Sequence, residues 1–91
     1  MKAVIFESDP LRSAVYEQGI ELCGNLLDMG EEVTAFISGN FAEAYENAPE
    51  DAEFKRKFSQ LELYGAKLAG DPTISAESRI LLNNCGGAIS F

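Results

Sequence analysis

Few side chains in this 91-residue chain are equipped for chemistry. There are two cysteines, Cys23 and Cys85, and no histidine. The commonest general base and the commonest metal ligand are therefore both missing, and neither thiol has an imidazole to activate it. The two thiols lie far apart and form no C-x-x-C pair, so a reduced, cytoplasmic setting is expected. Cys23 falls on the apolar stripe of a helical pattern and reads as a small buried hydrophobe. Cys85 follows a predicted helix C-terminus, where the negative end of the helix dipole opposes thiolate formation. Gly86 and Gly87 leave it accessible, which makes Cys85 the one weak candidate for a sulfur or redox role.

The remaining candidates are binding residues in three short polar loops: Ser8 and Asp9; Ser38, Gly39 and Asn40; Ala69, Gly70 and Asp71. Ser, Asp, Asn and Gly also supply helix caps and turns, so these loops have a structural reading beside the functional one. Their serines have no base beside them in sequence. Gly39 stands alone, so neither G-x-G-x-x-G nor a phosphate-binding G-x-x-x-x-G-K-[ST] loop is present. A helix beginning after Asp9 would offer its N-terminus to a small anion, although Glu7 and Asp9 oppose one. Glu7 and Asp9 also loosely fit the acidic pair of a phosphoryl-accepting receiver domain, but no aspartate ends a central strand. Glu43, Glu46, Glu50, Asp51 and Glu53 lack calcium-loop spacing and read as a solvated acidic surface. No metal site and no cofactor are expected.

These loops need a scaffold, and the hydrophobic pattern supplies one. Ala3–Phe6 and Val33–Ile37 are apolar runs without alternation, as in strands covered on both faces. Between them, Asp9-Pro10 signals a helix start and Gly30 a helix end, with Tyr16, Ile20, Cys23, Leu26 and Leu27 at helical spacing. Short helices are predicted over 41–47 and 52–63, the second with Phe54, Phe58, Leu61 and Tyr64 on its apolar side. The Lys55-Arg56-Lys57 triplet beside that stripe reads as a solvated face. A weak third strand spans 66–69. A helix capped by Thr73 or Ser75 then carries Ile80, Leu81 and Leu82, and a last strand runs over 88–91. The order β-α-β-α-α-β-α-β makes a single α/β domain: a three-layer sandwich on a small, mainly parallel sheet of about four strands, Rossmann-like. The first helix carries apolar residues on both flanks, more than one sheet contact uses, which points to association with other subunits.

Composition excludes several classes of partner. Hydrophobic residues make up 46% and the formal charge is −8, so nucleic acid and anionic lipid are repelled. No apolar run approaches the ~20 residues of a membrane span, and no signal peptide is visible.

The order of these pieces resembles the DsrE/DsrF/DsrH-like (TusBCD-like) sulfur-relay family. The similarity lies in Ala3–Glu7, in Asp28-Met29-Gly30-Glu31-Glu32-Val33 leading into Thr34–Asn40, in Phe58–Gly65, and in Ile80–Phe91. It implies a trimeric or hexameric homo-oligomer, or a hetero-oligomer with related subunits, that relays persulfide sulfur. The resemblance also implies a sulfur-bearing cysteine just after the third strand, where this chain has Ala69-Gly70-Asp71. Gly39-Asn40-Phe41-Ala42 likewise departs from the family's Gly-Asp-Gly-Val. The expected function is thus a non-catalytic structural or regulatory subunit. The alternatives are a sulfurtransferase or sulfur carrier using Cys85, or a flavodoxin-like small-ligand module using the three loops.

Overall fold

The computed structural model describes all residues, Met1–Phe91. The elements are β1 (Lys2–Phe6), α1 (Val15–Asp28), β2 (Val33–Ile37), α2 (Gly39–Asn47), α3 (Glu53–Gln60) with a 3₁₀ turn at Leu61–Tyr64, β3 (Lys67–Ala69), α4 (Ala76–Asn83) and β4 (Gly87–Ser90). The four strands form one parallel sheet in the order β3-β2-β1-β4. Right-handed crossovers place α1, α2 and α3 on one face and α4 on the other. The expected α/β sandwich is the observed fold.

Strand periodicity sorts the side chains between the layers. Val4, Phe6, Val33 and Ala35 face the first helical layer and join Tyr16, Cys23, Phe41, Phe54, Phe58 and Leu61 in the main core. The centre of that core is aromatic. Phe6 meets Phe58 edge-on at 5.2 Å, and Phe41 meets Phe54 edge-on at 5.7 Å, the geometry that ring quadrupoles favour. Ala3, Thr34 and Phe36 are buried outside this cluster, on the α4 side. There the Thr34 hydroxyl donates to the Met1 sulfur at 2.9 Å.

Several local expectations are corrected. The first helix starts at Val15 rather than after Asp9-Pro10. Asp9 caps a turn instead: its Oδ1 accepts the Leu11 N–H, and its carbonyl accepts the Arg12 and Ser13 N–H groups. Ser13 Oγ then takes the Val15 N–H in a local turn, and α1 itself starts from Ala14 with no side-chain cap. The apolar surplus of α1 is used inside the chain. Ile20, Leu22, Leu26 and Leu27 pack against the core, where α3 and the 3₁₀ turn flank the helix. Tyr64 leaves the predicted stripe and is exposed. Lys55 is buried rather than solvated; its ammonium donates to the Ala48 carbonyl and pairs with Glu50 at 3.2 Å. On α4, Ile80 points to solvent while Ser78 is buried beside Gly70.

Gly30 has φ +84°, and closes α1 in the left-handed conformation as expected. Ser75 caps α4 by accepting the Ser78 N–H. No helix is long and apolar enough to cross a membrane.

Candidate functional site

Because all four strands run the same way, the loops leaving β1, β2 and β3 emerge at one end of the sheet. The register sets Phe6 opposite Ile37 and Phe36 opposite Ala69, so the three exits lie nearly level. Backbone bonds lace them together. Ser38 N–H donates to the Phe6 carbonyl at 2.9 Å, and Phe41 N–H to the Glu7 carbonyl at 3.2 Å. Gly39 opens α2 at φ +49°, in the left-handed region where any other residue would be strained. On the other side of β1, Glu7 and Ser8 N–H groups both donate to the Phe91 carbonyl. The strand order reverses between β1 and β4, the position where doubly wound sheets usually open a ligand crevice. Here that position is occupied by these backbone bonds.

Five of the eight predicted binding residues fall into two groups, and Ser8, Ala69 and Gly70 join neither. The first is a clasp built on Asp71. Its Oδ1 accepts from Thr73 Oγ1 at 2.7 Å, from Thr73 N–H at 2.9 Å and from Ser38 Oγ at 3.4 Å. Its own carbonyl accepts from Ile74 and Ser75 N–H. Partial burial pushes the Asp71 carboxyl up, but the bonds from the Thr73 hydroxyl, Thr73 N–H, Ser38 hydroxyl and Gly39 N–H outweigh it, and the group is held below the ordinary aspartate range. A carboxylate so stabilised is a poor proton acceptor. Ser38 is therefore held by Asp71 but not activated by it, because no group nearby would take its proton. Ala69 and Gly70 lead into this clasp without joining it.

The second group lies across β1. Asp9 and Asn40 line an open groove of about 680 Å³ between the Asp9–Arg12 turn, α2 and the start of α3. Ala44, Ala48 and Phe54 contribute its apolar lining, and Glu43 and Asn47 its further polar groups. Asp9 is partly neutralised by Arg12 at 3.7 Å. Ser8, Ser38, Gly39, Ala69, Gly70 and Asp71 do not line this groove.

Sequence reasoning missed Thr73, Glu43 and Asn47. The Asp71-Pro72-Thr73 triplet is a turn signature that was available for Thr73. Nothing in sequence links Glu43 or Asn47 to Asp9, because α2 alone brings them there.

The two thiols are remote from both groups. Cys23 is fully buried, and burial pushes its pKa up to about 12. Cys85 sits at the opposite end of the sheet, since α4 carries the chain back before β4 begins. Its thiol is partly exposed and donates to the Leu81 carbonyl at 3.3 Å, and the next residue, Gly86, donates its N–H to the Met1 carbonyl at the foot of β1. The chain has no grouping of three His, Cys, Asp or Glu side chains suited to a metal ion. Compared with known protein families, curated proteins and solved structures, the chain matches none of them.

Proposed function

We propose that this chain is a non-catalytic subunit of a DsrE-like sulfur-relay assembly, acting through contacts with other subunits. One observation carries the reading. In the stretch after β3, where the resemblance implies a sulfur-bearing thiol, Ala69 or a neighbour stands in its place, and the one polar side chain there, Asp71, is engaged by Thr73 and Ser38. Such a group shapes the end of the sheet without transferring anything. Cys85 cannot substitute for the missing thiol at that position, because it lies at the sheet's other end.

The test combines a sulfur donor with mass analysis. The folded protein is incubated with a low-molecular-weight persulfide and its intact mass is measured. No adduct of ~32 Da is expected on Cys23 or Cys85. A stable adduct on Cys85 would replace this reading with that of a sulfur carrier. The groove beside Asp9 favours a second reading, a small-ligand module, since its volume lies within the ~300–1,000 Å³ range of ligand pockets. A thermal-shift screen of nucleotides and flavins separates the two, because a ligand that binds only the folded form raises the melting temperature.

A further inference from the structure

The two edges of the sheet are built differently. The β3 edge is three residues long and carries Lys67, the short and charged form that discourages pairing. The β4 edge is Gly87-Ala88-Ile89-Ser90, with no charge and no proline, and all four residues are exposed. Ile89 is 53% exposed.

The hydrogen-bond pattern shows which groups of β4 are unused. Phe91 turns both of its backbone groups toward β1: its N–H donates to Ile5, and its carbonyl accepts from Glu7. Strand alternation then turns Ile89 inward as well, and leaves the N–H and C=O of Ala88 and Ser90 pointing away from the sheet. Ile89 pairs in register with Val4, so its side chain projects on the α1 face, beyond the main core.

We infer that β4 is a dimer seam that takes a second copy of this chain, antiparallel across a two-fold axis. The proposal rests on the reading of the chain as an associating subunit and specifies its contact. In this pairing Ala88 of each copy exchanges hydrogen bonds with Ser90 of the other. The two Ile89 side chains meet on the axis as a non-hydrogen-bonded pair, the closer of the two antiparallel spacings. The four strands become eight, in the order β3-β2-β1-β4-β4-β1-β2-β3.

Charge selects this orientation. Lys2 stands at the foot of β1 with its ammonium close to Gly87, and no carboxylate of its own chain lies within ion-pair distance. Glu7, likewise without an ion-pair partner in its own chain, follows the head of β1, while Asp9 beyond it is paired with Arg12. Antiparallel pairing sets the basic foot of one copy toward the acidic head of the other at both ends of the seam, whereas a parallel pairing would set like charges together.

The proposal is tested by sedimentation equilibrium on the full chain and on Ser90→Pro. Proline at this position removes an outward N–H and leaves the β1–β4 bonds intact, so the variant keeps its circular dichroism spectrum, and its melting temperature falls only by the stabilisation that dimer formation adds. The parent is expected to sediment at twice its 9.9 kDa mass at micromolar concentration, and Ser90→Pro as a monomer. A second readout does not depend on that variant folding. Ile89→Cys in a Cys85→Ser background should form a covalent dimer under mild oxidation, because the paired Cα atoms would be ~4.5 Å apart; Lys67→Cys in the same background should not. A parent that stays monomeric at high concentration overturns the seam and, with it, self-association, and leaves the subunit reading to contacts with related chains. An oligomer that survives Ser90→Pro, or that fails to cross-link through Ile89→Cys, overturns the seam alone.

Discussion

Asp71 and Cys23 show how a single group's environment decides its role. Asp71 is ionised; it accepts from Thr73 within its own turn, and its bonds from Ser38 and Gly39 tie the β3 exit to the β2 exit. Its folded pKa lies below the unfolded one, so its stabilisation is fully present above the unfolded value and is lost as pH falls through the depressed folded value. Asp71→Ala should therefore lower stability at pH 7 by about 1 kcal/mol, a figure kept small because the group is partly solvated. Urea titrations of the two proteins should converge below the folded pKa, under pH ~3.9. A gap that persists at acid pH would remove the carboxylate from this role.

Cys23 titrates in the other direction. Its folded pKa, raised by burial to about 12, exceeds that of an unfolded thiol. The unfolded chain therefore ionises first, and stability falls as pH rises above ~8.5. At pH 8 a thiol reagent should label Cys85 in the native protein and reach Cys23 only after denaturant is added; mass analysis of the labelled chain checks this. Lys57 is more exposed. Hydrogen bonds to Glu17 and then Glu53 hold its ammonium above the ordinary lysine range, and it links α1 to α3.

At the scale of elements, two glycines of α1 make a controlled comparison. Both carry the helix-propensity cost of glycine, about 1 kcal/mol relative to alanine. At Gly24 an added Cβ meets nothing within 4 Å, so Gly24→Ala should stabilise the protein by about 0.5–1 kcal/mol. At Gly19 the Cβ would stand 2.6 Å from Phe6 Cε2, on a ring locked at the centre of the core. Gly19→Ala should cost about 1–3 kcal/mol despite the better propensity. Thermal melts of the pair check both signs at once. Ser75 caps α4 from an ordinary N-cap position, and Ser75→Ala should lower the melting temperature through a loss of about 1 kcal/mol.

These elements also show where sequence patterns were sufficient. Gly30 and Ser75 act through local backbone geometry, which is encoded within a few residues. Asp9 fails as a helix start because its carboxylate and carbonyl take the Leu11, Arg12 and Ser13 N–H groups into a separate turn, and the helix begins only after Ser13 has taken the Val15 N–H. Lys55 was misread because its partners are set by the bend at Ala48–Glu50, and a charge triplet on a helix does not reveal which member turns inward.

For the whole molecule, the formal charge of −8 opposes any contact between copies. Dimerisation should therefore strengthen as salt rises from low to moderate concentration, since screening weakens the long-range repulsion more than the uncharged seam. Sedimentation at two ionic strengths checks this, and the opposite trend would mean that ion pairs dominate the contact. The radius of gyration is 12.0 Å, close to the ~12 Å of a compact chain of this length. The open β4 edge is thus a feature of a well-packed domain.

By itself the sequence determined the layered α/β class, the run of strands and helices, and the apolar stripe of Tyr16, Cys23, Phe54, Phe58 and Leu61, though not that Tyr64 leaves it. Those follow from hydrophobic periods and caps, which are local. It also placed the polar residues at strand ends, because turn chemistry is local too. Only the tertiary structure decided that Asp71 closes on Ser38, that Asp9 shares a groove with Asn47, and that Cys85 lies at the far end of the sheet. It also decided which strand is left open. Such outcomes depend on strand order and crossover hand, which bring distant residues to the same height or to opposite ends, and no short stretch of chain encodes them.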